Sequence, residues 1–161
     1  IFARYQKYFG VFLSCNEAFR TYSGTRKPLG TWCGQCPKCL FIFAVLYPFL
    51  SEQKLTKIFG KNLFQDKKLI PLMEELVGER GFKPFECVGT KKESLTAFYL
   101  SLVKNRRSRN FSQNKKSLVL LNYFKNKILP KHPNLEKESK KIITYWNAQH
   151  NLAKDIEEIL I

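Results

Sequence analysis

Apolar residues along this 161-residue chain recur mostly at helical spacing, and period-two alternation is rare. The clearest block is Lys38–Tyr47, opened by Pro37 and stopped by Pro48. Proline suits the first turn of a helix, and the residue before a proline disfavours helix. The block is apolar nearly all round, which predicts burial on every side. Ser51 is placed to cap a second helix to about Phe59, with Gly60 as its stop. Asp66 can cap a third over Lys67–Val77, ended by Gly78, with Pro71 tolerated in its first turns. Thr90 followed by Glu93 reads as a capping box for a helix through about Val103. Two further helical stretches cover about Lys116–Ile128 and about Leu135–Leu160, with Pro130 and Pro133 between them. Upstream, residues 1–10 read as the tail of a helix closed by Gly10, and residues 11–13 as a short strand. Residues 21–35 form a glycine- and proline-marked loop, and residues 82–90 an extended or turn segment. The expected fold class is therefore mainly α.

Composition changes this picture in two ways. Fourteen phenylalanines make a sizeable core possible. The formal net charge of +15 is spread unevenly: residues 1–103 carry +7, and the shorter stretch 104–161 carries +8. The sharpest cluster is Lys104-Asn105-Arg106-Arg107-Ser108-Arg109, with Lys115-Lys116 behind it. Such a run can contact phosphates, but a solvated linker explains it more simply. The longest apolar run, Leu40–Leu50, is broken by Pro48 and falls short of the roughly 20 residues a bilayer requires. No signal peptide is legible, so the chain reads as soluble and cytoplasmic. Residue 1 is Ile and the single methionine is Met73, which reads as a piece of a longer protein or a processed form.

The chemistry-bearing feature is Cys33-Gly34-Gln35-Cys36-Pro37-Lys38-Cys39, with Cys15 upstream. Two consecutive two-residue gaps put three thiols on one turn and helix start, and Cys15 supplies a fourth across the intervening loop. In a cytoplasmic chain this order favours a structural zinc over disulfides. An iron–sulfur cluster is the rival metal centre, and reduced buried thiols are the plain alternative. The fold expectation becomes a helical domain with a four-cysteine zinc knuckle near its N-terminus. His132 and His150 lie far off in sequence and read as surface or helix-face residues.

The cysteine order resembles the C-terminal pattern of 7-cyano-7-deazaguanine synthase, whose four cysteines hold a structural zinc beside an ATP-pyrophosphatase domain. A closer likeness runs through Cys15-Asn16-Glu17-Ala18-Phe19-Arg20 and the Trp32–Cys39 block with Phe41 and Phe43. It continues in one order through Pro48-Phe49-Leu50, Phe59-Gly60-Lys61-Asn62-Leu63 and Lys83-Pro84-Phe85-Glu86-Cys87-Val88-Gly89. Together these resemble the C-terminal part of the UDP-N-acetyl-α-D-muramoyl-L-alanyl-L-glutamate epimerase family, the MurL family. The likeness covers residues 1–105, read as a zinc-bearing helical domain. Residues 106–161 read as a basic linker and helical tail of unknown role.

The resemblance implies ATP- and Mg²⁺-dependent inversion of the terminal glutamate of UDP-MurNAc-L-Ala-L-Glu, a step in peptidoglycan precursor synthesis. Adenylating the neighbouring carboxylate would acidify the α-carbon, so that one side chain removes the proton and a second group returns it on the other face. It also implies a larger α/β ATP-pyrophosphatase-like parent whose phosphate loop lies upstream, since no such loop occurs here. This piece alone is then not expected to turn over. Cys87 is the remaining cysteine. It is either an acid/base assisted by Glu86 and neighbouring Lys83, or a small buried apolar residue. Asn16, Arg20 and Lys38 surround the metal loop and can contact substrate, or can serve only loop structure and charge balance. Trp32 reads as packing over the knuckle. The runner-up function is a zinc-knuckle RNA-binding module of a tRNA- or nucleoside-modifying enzyme, using the Lys104–Lys116 patch.

Overall fold

The computed structural model describes residues 2–19, 30–84, 88–109, 117–147 and 149–160. Among these residues every regular element is helical. Three 3₁₀ turns, Phe2–Arg4, Gln6–Tyr8 and Asn16–Phe19, precede α1 (Pro37–Leu46) and α2 (Glu52–Phe59). Two more, Leu63–Gln65 and Lys67–Leu69, lead into α3 (Ile70–Val77). The long α4 (Lys91–Arg109) is followed by α5 (Val119–Tyr123), a π turn (Phe124–Ile128) and a 3₁₀ turn (Leu129–Lys131). Helices α6 (Leu135–Ile143) and α7 (Lys154–Leu160) complete the order. No helix among the described residues is long and apolar enough to cross a membrane.

Helix α4 is the hub, packing against α1, α3, α5 and α6. The core is organised as a line of aromatic rings. Phe12 lies 5.6 Å from Trp32, and Trp32 lies 4.7 Å from Phe59. Phe43 touches Phe59 and Phe64 edge-on at 5.2 and 4.9 Å. Phe64 continues to Phe98 at 5.8 Å, and Phe98 stacks on Phe124 at 5.7 Å. Tilted and edge-on geometries suit ring quadrupoles, and each such pair adds about 0.5–1.5 kcal/mol beyond area burial. Much of the phenylalanine content thus lies in one contiguous core running from the N-terminal turns to the segment after α4, while Phe49 and Phe82 stand exposed.

Helix α1 buries Cys39, Leu40, Phe43, Ala44 and Leu46, while Lys38, Phe41, Ile42 and Val45 form one half-buried stripe instead of the burial on every side that the sequence suggests; its polar backbone ends find partners inside the protein. Pro37 at its first turn lacks one of the donors that would be orphaned there. At its far end Ser101 Oγ donates to the Ala44 carbonyl at 3.1 Å. Lys104 Nζ donates to the Tyr47 carbonyl at 2.6 Å and also to that of Leu50. Both donors come from α4, three residues apart, and so lie on one face of it. Helix α4 accordingly continues past Val103, where the sequence pattern ended it, through Arg109. Arg106 and Arg107 remain exposed.

The local signals at other helix ends perform as expected. Ser51 Oγ accepts from the Lys54 amide at 3.3 Å. Thr90 and Glu93 form the reciprocal capping box, at 2.6 and 3.2 Å. Asp66 Oδ1 does cap, accepting from the Lys68 amide at 3.1 Å, but it starts the 3₁₀ turn. The α-helix begins only at Ile70, because Pro71 fits just the first turn.

Other expectations are corrected. Where the sequence suggests a helix tail over residues 1–10, the described residues 2–10 form two 3₁₀ turns, and residues 11–13 form no strand. A lone strand has no ladder partner here, so Phe12 packs its ring on Phe2 and Trp32 instead. Near Pro130, which lacks the amide that would extend an α-helix, the chain widens into the π turn. That turn buries both Phe124 and Ile128. The stretch after Leu135 breaks at Thr144 instead of reaching Leu160. Thr144 Oγ1 donates to the Lys140 carbonyl, and Asn147 Oδ1 accepts from the Gln149 amide, at 2.9 and 3.0 Å. His150 Nδ1 accepts from the Leu152 amide at 3.2 Å. Such side-chain bonds compete with helix.

Polar groups latch α5 and the segments after it to α3, to the turn that follows α3 and to α4. Tyr123 Oη donates to Glu74 Oε1 at 2.5 Å, and Ser139 Oγ of α6 bonds Thr96 Oγ1 of α4 at 3.2 Å. Glu79 receives Lys131 and, at 3.1 Å, His132 Nε2. The Lys131 hydrogen bond, with His132 beside it, holds the Glu79 carboxyl below its ordinary 4.5. A carboxyl lowered on folding contributes stability above its unfolded value, and that contribution is lost as pH falls through the folded one. Glu79→Gln should therefore lower the urea midpoint at neutral pH, with the difference from wild type shrinking as pH falls below about 4.5. Lys104→Leu leaves two carbonyls short of a donor and should cost about 1–3 kcal/mol in the same urea titration.

Candidate metal centre

Four thiols converge where α1 begins. The Sγ atoms of Cys15, Cys33, Cys36 and Cys39 all lie within 4.8 Å of one another. Cys15 and Cys36 are 3.7 Å apart, Cys33 and Cys39 3.6 Å, and Cys36 and Cys39 3.5 Å. None of the four is disulfide-bonded. A tetrahedral ion with metal–sulfur bonds of about 2.3 Å sets its sulfurs about 3.8 Å apart. The spacing fits one ion at the centre. An iron–sulfur cluster spreads its thiolates around several metal atoms and fits this close group less well. Cys15, Cys36 and Cys39 are buried and Cys33 is half-buried.

The local chain explains the convergence. Cys36 is the N-cap of α1, in extended conformation, and its carbonyl accepts from the Leu40 amide at 3.2 Å. Cys39 falls in the first turn of that helix. Gly34 has φ +67°, and a Cβ there would lie 3.0 Å from Lys61 Cε. The tight turn from Cys33 to Cys36 therefore needs glycine for its left-handed backbone, and the Lys61 stem packs over it. Cys15 opens the Asn16–Phe19 turn, its carbonyl accepting from the Ala18 amide at 3.1 Å. Trp32, with the rings of Phe12 and Phe59 against it, joins the thiol segment to the aromatic core as packing.

The thiols hold their protons unequally. The hydrogen bond shared with Cys39 brings the Cys36 thiol down to about 5, and the same bond pushes Cys39 up. Burial pushes Cys33 up to about 11. Four clustered thiols in a partly dry site cannot all ionise by themselves; a divalent cation compensates the charge, and its binding releases protons.

Asn16 is exposed, and Lys38 is half-buried on the first turn of α1, so both lie by the thiol segment. Arg20, Glu86 and Cys87 lie outside the described residues. Their flanks are informative. Lys83 is half-buried and Val88 fully buried. At Gly89, with φ +64°, a Cβ would lie 2.6 Å from Phe41 Cζ. The Lys83–Gly89 string therefore ends on a position that only glycine fills, against α1 and next to the α4 capping box. His132 and His150 pair with Glu79 and Glu157, at 3.1 and 3.2 Å. Lys61 was not singled out by its residue type. Its stem lies against Gly34 and its ammonium pairs with Asp66 at 2.8 Å. The Phe59–Leu63 string, in register with the cysteines, carried that signal.

Elemental analysis of the purified chain should find about one divalent ion per molecule. Cys39→Ser, at a fully buried ligand position, should abolish that stoichiometry and lower the melting temperature, and a strong chelator should do the same to wild type. A folded wild-type chain with no metal removes the metal centre.

Residues 11–125 match the family described as the MurL C-terminal domain. The chain is 41% identical over 100 residues to the UDP-N-acetyl-alpha-D-muramoyl-L-alanyl-L-glutamate epimerase of Micromonospora sp. (strain ATCC 39149), covering 62% of this chain and 22% of that protein. It is 42% identical over 99 residues to the enzyme of the same name from Salinispora tropica, covering 62% and 21%. Against that of Xanthomonas oryzae pv. oryzae it is 42% identical over 96 residues, covering 60% and 21%. The matched region thus spans about a fifth of the length of these curated relatives. No solved structure matches. The match takes in all four clustered thiols, the whole of α1 to α4 and Gly89, and the chain belongs to the MurL C-terminal domain family.

Proposed function

We propose that this chain is the C-terminal part of an epimerase that inverts the terminal L-glutamate of UDP-MurNAc-L-Ala-L-Glu in peptidoglycan precursor synthesis. The match of residues 11–125 to the MurL C-terminal domain carries this reading. In it, a cytoplasmic parent enzyme supplies an α/β ATP-binding part upstream, where ATP and Mg²⁺ activate the glutamate carboxylate.

Zinc is the ion this reading gives to Cys15, Cys33, Cys36 and Cys39. When bound it supplies structure and no chemistry, because four thiolates fill a tetrahedral ion and leave no position for water or substrate. The thiols themselves pin the residue 15 turn to the start of α1. The proton-transfer candidates are then Cys87 and Glu86, with Lys83 favouring the Cys87 thiolate. Asn16, Arg20 and Lys38 are the candidates for contacts to substrate carboxylates or phosphates.

The test is incubation of the full-length protein with ATP, Mg²⁺ and UDP-MurNAc-L-Ala-L-Glu, followed by hydrolysis and chiral chromatography of the glutamate. D-glutamate is expected; L-glutamate alone rejects the reading. Cys87→Ser should lower the rate by about 10²-fold or more with metal content and melting temperature unchanged. An undiminished rate takes Cys87 out of the mechanism.

A further inference from the structure

A cleft of about 460 Å³ lies between the N-terminal turns, residues 30–32 and α2. Its volume is that of a small-molecule site. The walls divide by chemistry. Phe9, Phe12, Ile58 and Trp32 supply apolar surface, and Lys54 and Lys57 supply charge. The two lysines stand three apart on α2 and share a face. Lys54 Nζ donates to Gln6 Oε1 at 2.8 Å, a neutral acceptor that orients the ammonium without cancelling its charge. Among the described residues no carboxylate lines the cleft. The acid at the start of α2, Glu52, is held by Asn62 Nδ2 and Gln65 Nε2, at 2.6 and 3.4 Å. Asp66 is held by Lys61. An apolar floor beside two cations, with no carboxylate in the lining among the described residues, selects a ligand with a flat, weakly polar body and adjacent negative charges. Trp32 lines the cleft but is buried, with Phe12 and Phe59 packed against it; Phe9 and Phe12 are the half-buried rings of the lining.

We propose that this cleft binds a nucleoside diphosphate group, with the base against Phe9 and Phe12 and the diphosphate against Lys54 and Lys57. The inference rests on the epimerase reading, because the relatives' printed name gives a substrate with a uridine diphosphate end. It deepens that reading by assigning the nucleotide end of the substrate to this domain. The reacting glutamate, at the other end, is left to the upstream part and the residue 86–87 region.

The test uses this chain with Trp146→Phe, which leaves Trp32 as the sole tryptophan. Titration with UDP should change Trp32 fluorescence saturably, and calorimetry should give one site. The Lys54→Ala/Lys57→Ala pair should weaken UDP binding by about tenfold or more. Both lysines are exposed, and an unchanged melting temperature verifies the fold. Inorganic pyrophosphate, lacking a base, should bind more weakly than UDP. ADP binding tighter than UDP overturns the substrate assignment. No nucleotide binding, or equal binding by the double variant, overturns the site. Failure of UDP to bind while the full-length enzyme still yields D-glutamate removes the cleft and leaves the epimerase. UDP binding with no epimerisation supports the cleft and removes the epimerase reading.

Discussion

The polar ends of a mostly buried helix constrain what is built around it. Helix α1 buries Leu40, Phe43 and Ala44 completely, and groups of the protein itself meet both of its ends. At the N-terminal end the chain supplies a proline and a thiol cluster. At the C-terminal end α4 supplies a hydroxyl and an ammonium. The remaining helices gather on α4, and the aromatic line from Trp32 to Phe124 runs through the same interior. Removing any ring along that line leaves a void next to α1 or α4, and cavities in such cores are costly.

The thiol centre and the hydrophobic core are one construction. Trp32 precedes Cys33 in sequence and inserts between Phe12 and Phe59. Leu63, two residues beyond Lys61, lies near Gly34. The turn that would carry the ion is therefore supported from beneath by aromatic and aliphatic side chains. This supporting layer suits a centre whose role is to hold shape.

What the sequence made legible was local. Ser51, Thr90 with Glu93, Pro37 and Pro48 act within four residues of themselves, so their spacing alone announces them. The cysteine group was legible although Cys15 is 21 residues from Cys36, because metal chemistry restricts which residue types can meet. The Ser101–Ala44 and Lys104–Tyr47 bonds each join residues 57 apart and leave no trace in spacing. Lys104 illustrates the difficulty: within a basic run it reads as solvated, yet the unsatisfied carbonyls of a buried helix end draw it inward. The break at Thr144 was hidden for another reason. Residues 135–160 keep a plausible helical pattern, and only the competing side-chain bonds of Thr144, Asn147 and His150 decide against it.

The two ends of α1 are mechanically joined. Its ten residues make a rod about 15 Å long, with an ion seat at one end and the α4 hook at the other. A close-packed rod has no slack in which a displacement at one end can dissipate. If the four thiols hold an ion, linkage ties it to the hook through α1: whatever free energy the ion lent to the hook, the hook would return to the ion.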